Sequence, residues 1–292
     1  MNAYEAQLAG RGVRRIGFGA MQLPGPHVFG PPADRDQALA VLRRAVELGV
    51  NHIDTAQYYG PDVSNELIHA ALHPYPDDLV LVSKVGGARS SDGGWIPAQR
   101  PAELRRGVED NLRSLEVDRV DVVNLRLMGD VAVTGDQVVP LSEQLGEMIA
   151  LRDEGKIGGI GLSSVTLEQV EAGLAQTEIA CVQNPMSLLS RDDQPTLDLC
   201  VDAGIAYVPF FPLGSAFPGQ RHVSDDPVVQ ETAGRLGLTP AQVGLAWLLQ
   251  HSPSILLIPG TSSVGHLEEN VAAGDVALDA QALESLAAIG QD

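Results

Sequence analysis

Only two cysteines, Cys181 and Cys200, occur in 292 residues, and they stand at no metal-binding or redox spacing. This excludes a disulfide-stapled fold and fits a reducing compartment, so the cytoplasm is the expected location. Positive charge is equally scarce. Nineteen lysines and arginines against 38 acids leave a net charge of −19, which argues against a nucleic-acid or anionic-membrane surface. An anionic cofactor would need a local positive spot within that field. No uncharged stretch reaches the ~20 apolar residues of a membrane span, and residues 1–15 lack the apolar core of a signal peptide. Internal repeats and low-complexity tracts are missing. So is the dinucleotide fingerprint of an open doubly wound sheet: Gly17-Phe18-Gly19-Ala20-Met21-Gln22 has no final glycine and opens no helix. Gly155-Lys156 lacks the preceding glycine of a phosphate loop. His69 and His73 stand four apart without a following glutamate or a third ligand. They read as a solvated helix face, and no metal is expected.

What the chain does have is 44% apolar residues and an alternation of two patterns. Short β-branched runs at 16–20, 51–55, 79–84, 120–127, 158–163, 181–184, 206–211 and 255–259 read as strands. Amphipathic stretches between them read as helices. One is capped by Asp34 and runs to Leu48, with Ala38, Val41, Leu42, Ala45 and Leu48 on one face. Another opens at Pro101 and runs to Leu115, and further ones cover 141–154, 166–175, 195–203 and 239–250. Gly49 and Gly204 stand where helices should stop. Eight strands with intervening helices predict an α/β fold of the (β/α)8 TIM-barrel type, one domain over residues 1–292. The long irregular stretches 85–100, 128–140 and 213–226 follow strands and would wall a pocket at the catalytic face.

Three residues near strand ends carry the chemistry. Asp54 closes the second candidate strand, Tyr59 follows five residues later, and Lys84 closes the third. A phenol is a weak acid, with a pKa of about 10. A neighbouring ammonium favours the phenolate and eases proton donation, while a carboxylate fixes the ammonium. Such a trio suits carbonyl reduction, in which the oxygen takes a proton as a hydride reaches the carbon. Tyr58 stands beside Tyr59, and spacing alone leaves both open for the phenol role.

These residues carry a resemblance. Gly49-Val50-Asn51-His52-Ile53-Asp54-Thr55-Ala56-Gln57-Tyr58-Tyr59-Gly60 resembles the aldo-keto reductase signature, and Val82-Ser83-Lys84-Val85 resembles that family's lysine strand. Further matches run in order through Gly159–Ser164, Val182–Pro185, Val208–Gly214 and Ile258–Thr261, ending at His266–Asn270. The resemblance puts Asp54 and Tyr59, not Tyr58, in the catalytic places, beside Lys84. It implies NADPH, with NADH the lesser alternative, lying extended across the barrel mouth.

By the same resemblance, Gly19, Ala20, Met21 and Asp54 belong to the cofactor site. Ser163 and Gln183 would bond the nicotinamide amide, with Ser164 in the place of a usual asparagine. Phe210 would stack on the nicotinamide. Phe211 and Pro212 belong to the same segment, Phe211 being the more core-like of the two rings. Leu213, Gly214 and Ser215 resemble the pyrophosphate loop. Gly260, Thr261, Ser262 and His266 would surround the 2′-phosphate through backbone amides at a helix start; many relatives have Arg or Lys there. Glu269 and Asn270 match adenine-contacting positions.

One departure lies on the fourth candidate strand. Alignment puts Arg126 where the family has a catalytic histidine, with Asn124 one pleat deeper as the alternative. Arginine keeps its charge and cannot relay a proton, but it can donate hydrogen bonds to a developing alkoxide. This variant, with Gly19–Leu23 and Gly30-Pro31-Pro32, resembles a bacterial branch that includes pyridoxal reductases. The implied activity is NADPH-dependent reduction of an aldehyde or ketone, with pyridoxal as candidate substrate. The alternatives are a natural-product ketone, a cofactor-binding regulatory barrel with little turnover, or a barrel enzyme acting on a phosphate ester. The expected partner is a small carbonyl compound, with no nucleic acid and no membrane.

Overall fold

A computed structural model describes residues 5–129, 133–214 and 221–289. An antiparallel hairpin, β1 (Glu5–Leu8) and β2 (Arg11–Arg14), precedes the main sheet. There follow β3 (Phe18–Gly19), α1 (Arg35–Glu47), β4 (His52–Asp54), α2 (Val63–Leu72) and β5 (Val80–Val85). A second hairpin, β6 (Gly87–Arg89) and β7 (Trp95–Pro97), lies in a stretch that the sequence presents as irregular. Next come α3 (Pro101–Leu115), β8 (Val120–Arg126), α4 (Leu141–Asp153), β9 (Ile157–Ser163), α5 (Leu167–Gln176) and β10 (Cys181–Gln183). The last elements are α6 (Gln194–Ala203), β11 (Ala206–Tyr207), α7 (Pro227–Leu236), α8 (Pro240–His251), α9 (Val264–Ala272) and α10 (Ala280–Ala287).

Local chemistry sets the helix ends. Asp34 accepts from the Gln37 amide at the start of α1. Thr166 and Thr239 form capping boxes with Gln169 and Gln242. Gly204 closes α6 in the left-handed region that glycine enters without steric cost.

Seven parallel strands make the sheet, in the order β11-β10-β9-β8-β5-β4-β3, so each neighbour is reached through a helical crossover. The sequence leads one to expect an eighth strand at 255–259. Isolated parallel bridges stand there instead. On one side the Tyr207 amide donates to Ser254 O at 2.9 Å and the Leu256 amide to Tyr207 O at 2.9 Å. On the other, the Gly17 amide donates to Leu257 O and the Leu257 amide to Arg15 O, each at 2.8 Å. Pro253 and Pro259, which lack an N–H, bracket the segment and keep the ladder short.

The alternation of side chains along the strands produces two apolar layers. One lies between sheet and helices. The other is the concave face, where Val80, Val82, Val122, Ala206 and Leu256 meet Leu8 and Val13 of the first hairpin. Each fully buried valine or leucine contributes roughly 1.5–3 kcal/mol. Polar residues occupy the same inward rows. The His52 ring lies so close to Gly17 that a Cβ there would fall 2.2 Å from Nε2. Asn124 packs likewise over Gly161, its Oδ1 accepting from the Cys181 thiol at 3.3 Å. Glycine on the neighbouring strand is what lets these two large polar side chains fit inside.

His52 is 1% exposed, and neither ring nitrogen has a hydrogen-bond partner among the described residues. Burial pushes its pKa down from 6.5 to about 4, so the folded protein keeps the ring neutral. The unfolded chain takes up the proton below pH 6.5. The stability contribution is therefore complete above that pH and is lost as pH falls toward 4. Between pH 7 and 4.5, urea unfolding should show the wild-type protein losing about 2–3 kcal/mol more than a His52→Gln variant. Parallel pH profiles would contradict this.

Candidate active site

At the C-terminal ends of β4 and β5, Lys84 Nζ donates to Asp54 Oδ1 and to the Thr55 carbonyl, the latter at 3.0 Å. The other carboxylate oxygen, Asp54 Oδ2, accepts from Gln183 Nε2 at 2.8 Å, so β10 is tied to the same group. Lys84 is 4% exposed and Asp54 3%. A buried ion pair of this kind persists only when its remaining polar valences are filled, as they are here. Tyr59 sits in the turn after β4, its amide donating to Ala56 O at 3.0 Å. Lys84 Nζ lies 5.1 Å from the centre of the Tyr59 ring.

These groups open into a cavity of about 960 Å³, large enough for a small substrate together with an extended cofactor. Asp54, Tyr59, Lys84 and Arg126 all line it. Tyr58 does not: it is buried edge-on between Tyr59 and Trp95, with ring centres 5.4 and 5.5 Å away. Asn124 is fully buried one pleat below, so Arg126 is the residue of β8 that reaches the cavity.

The candidate cofactor residues divide into two groups. Gly19, Met21, Ser163, Ser164 and Gln183 line the cavity. So do Phe210, Phe211, Pro212, Leu213, Gly214, Gly260 and Asn270. Phe211, the more core-like ring in the sequence, is half-buried on the wall and edge-on to Phe210 at 5.1 Å, because a positive φ turns the chain outward there. Ala20 lies beneath the wall, its carbonyl accepting from Ser64 Oγ at 3.1 Å. Thr261, Ser262, His266 and Glu269 stand beside the cavity, not in its wall. Thr261 Oγ1 accepts from the Ser263 amide, and the exposed His266 lies in the first turn of α9, which Ser263 caps. Ser215 lies outside the described residues.

Among the charges near the Tyr59 phenol, those of Asp54 and Arg126 act most strongly. Burial raises the Tyr59 pKa well above its ordinary value, Asp54 raises it further, and Arg126 opposes both. Burial also raises Tyr58, with Arg126 again opposing. The cation acting on these phenols is therefore chiefly that of Arg126.

Two buried networks went unread in the sequence. In the first, Thr55 Oγ1 donates to Asn65 Oδ1 at 2.8 Å, and Asn65 Nδ2 donates to Asn111 Oδ1 and Ser114 Oγ, both at 2.9 Å. Ser83 Oγ donates to Asn111 Oδ1 as well, so α2 and α3 grip the residues next to Asp54 and Lys84. In the second, Asn184 Nδ2 and the Tyr207 hydroxyl both donate to Asp193 Oδ2, at 2.9 and 2.6 Å, with Asn184 and Asp193 in the cavity wall. An asparagine inside an otherwise apolar helix face, as at Asn65 and Asn111, is the signal that could have shown the first. Trp95 on the cavity wall was also missed, since nothing in the sequence marks the hairpin that carries it.

Comparison with known proteins places this geometry in context. Residues 15–291 match the aldo/keto reductase family. Over 293 aligned residues, covering 100% of both chains, the sequence is 48% identical to pyridoxine 4-dehydrogenase of Escherichia coli strain K12. A Klebsiella pneumoniae aldo-keto reductase solved with NADPH superposes with a TM-score of 0.81 at 29% identity, covering 98% of this chain and 94% of that one. The thermostable aldo-keto reductase Tm1743, solved with the inhibitor epalrestat, gives a TM-score of 0.81 at 28% identity, over 98% and 99% of the two chains.

Ser164, beside Ser163 on the wall, has φ +56°, a left-handed conformation that serine tolerates less well than asparagine. Ser164→Asn should therefore stabilise the protein by about 0.5–1 kcal/mol, which thermal unfolding would register as a rise of roughly 1–2 °C. A lowered melting temperature would show that the cavity wall, not the backbone, governs this position.

Proposed function

Because the chain belongs to the aldo/keto reductase family and is an NAD(P)H-dependent oxidoreductase, we propose that it interconverts an aldehyde or ketone and the corresponding alcohol, with pyridoxal as the leading substrate. The observation that carries this reading is the convergence of the Asp54–Lys84 pair, the Tyr59 ring and Arg126 on one cavity. Full-length similarity to an enzyme named for pyridoxine oxidation supports the choice of substrate. The bridges from segment 254–257 to both sheet edges support a closed (β/α)8 barrel forming one domain. The cysteine content and the lack, among the described residues, of any helix long and apolar enough to cross a membrane fit a place in the cytoplasm.

The donor set fits a reduced nicotinamide dinucleotide. Ser163, Ser164 and Gln183 offer hydroxyl and amide groups on the cavity wall, Phe210 offers a flat face, and Gly260 leads to the start of α9 beside it. When bound, NADPH supplies the hydride. The Tyr59 hydroxyl gives its proton to the carbonyl oxygen in reduction and takes it back in oxidation. Arg126 donates N–H groups to the oxygen as it gains negative charge, and it limits the rise of the Tyr59 pKa. Asp54 holds Lys84 beside the ring, and Gln183 holds Asp54.

Tyr59→Phe removes the proton donor with little change of shape. NADPH consumption with pyridoxal should fall by about 10²–10⁴-fold while cofactor still binds; retained turnover would refute the role of Tyr59. Arg126→Leu should lower kcat by about 10²-fold, with oxidation of pyridoxine hit at least as hard as reduction, because the Tyr59 pKa then rises further. Unchanged steady-state kinetics would remove Arg126 from the reaction.

A further inference from the structure

The hairpin over the cavity carries a charge that the chemistry above does not use. Arg89 and Trp95 face each other across β6 and β7, and the Arg89 guanidinium carbon lies 4.1 Å from the indole centre. Phe29 is on the same guanidinium at 5.4 Å. Its hydrogen bonding is limited to NH2 donating to the His27 carbonyl at 2.8 Å; Nε and NH1 are buried with no partner among the described residues. Arg191, stacked on Trp247, has no carboxylate partner among the described residues either, but its N–H groups reach the Leu188, Leu286 and Ala287 carbonyls. Arg105 takes Glu147 and Glu154, Arg235 takes Asp279 and Arg44 takes Glu268. A buried guanidinium without a carboxylate costs stability, and desolvation lowers the Arg89 pKa accordingly. Arg89 joins the hairpin to residues 27–29 through the His27 carbonyl and the Phe29 ring, which still leaves its Nε and NH1 without a partner among the described residues.

Trp95 and Arg126 line the cavity and Arg89 does not; the Arg126 guanidinium carbon lies 5.6 Å from the same indole centre. The indole is a flat wall for an aromatic ring, and two guanidiniums near that wall favour negative charge on the ring it receives.

We propose that Arg89, acting with Trp95, is a specificity determinant that selects flat aromatic carbonyl substrates carrying a negative charge on the ring, such as an ionised ring oxygen or a carboxylate. The proposal rests on the reductase reading for its chemistry. It goes beyond that reading in assigning charge selection to a residue outside the reacting group.

The test compares 4-formylbenzoate with its methyl ester, two aldehydes of similar shape and different charge. Arg89→Met should lower the ratio of their kcat/KM values, anion over ester, by about tenfold, and Arg89→Lys should recover part of it. An unchanged ratio, or equal losses on both substrates, overturns the assignment. If the wild-type protein reduces neither aldehyde, the reductase reading is what suffers. Charge selection is then read without turnover, in a Trp247→Phe background, from quenching of Trp95 emission by benzoate and by benzamide. Arg89→Met should raise the benzoate Kd about tenfold relative to the benzamide Kd. Equal weakening of the two overturns the proposal.

Discussion

The buried Lys84–Asp54 pair is the interaction on which the site depends. Taking two charges out of water costs several kcal/mol per ion, and their mutual attraction offsets this only when the other polar valences are met. Here they are met by the Thr55 carbonyl and by Gln183. The pair thereby joins the ends of β4, β5 and β10, three strands that the chain visits at widely separated points. The Thr55–Asn65–Asn111–Ser83 network holds the adjoining residues from the helix side. Tyr59 is placed by the turn that leaves the same strand end, so the phenol inherits its position from the pair.

That arrangement also fixes what the phenol feels. Burial and Asp54 raise the Tyr59 pKa, and Arg126 opposes them. Arg126 on the cavity is a permanent charge, which can donate hydrogen bonds but cannot relay a proton. In a chain of net charge −19, the site gathers Lys84, Arg126 and, against the indole, Arg89. Asp54, Asp192 and Asp193 line the same cavity, and these cations offset them.

Much of this was legible in the sequence because it is written in short, local patterns. The periodic runs give the strand–helix alternation, and Asp34, Thr166 and Thr239 cap helices by their own chemistry. Asp54, Tyr59 and Lys84 sit at strand ends, where one pleat decides which way a side chain points. The same pleat separates Arg126 on the cavity from Asn124 below it. What escaped is long-range. The β6–β7 hairpin has no sequence signature strong enough to distinguish it from a loop, so Trp95 and Arg89 were hidden with it. Asn65 and Asn111 acquire meaning only when α2 and α3 are seen to meet. The segment at 255–259 reads as a full strand by composition, yet its pairing depends on the two flanking prolines and on edges that close from opposite ends of the chain. Thr261, Ser262 and His266, expected at the cofactor, stand beside the cavity, where Thr261 Oγ1 and Ser263 Oγ serve the start of α9.

The most direct test is a double-mutant cycle on the buried pair, read by urea unfolding at pH 7. Lys84→Met and Asp54→Asn each strand a buried partner and should cost about 3–5 kcal/mol. The double variant should cost less than the sum of the two by about 2 kcal/mol or more, within the range for groups in contact. If the two losses simply add, the pair is not holding these strand ends together, and the account of how Tyr59 is positioned falls with it.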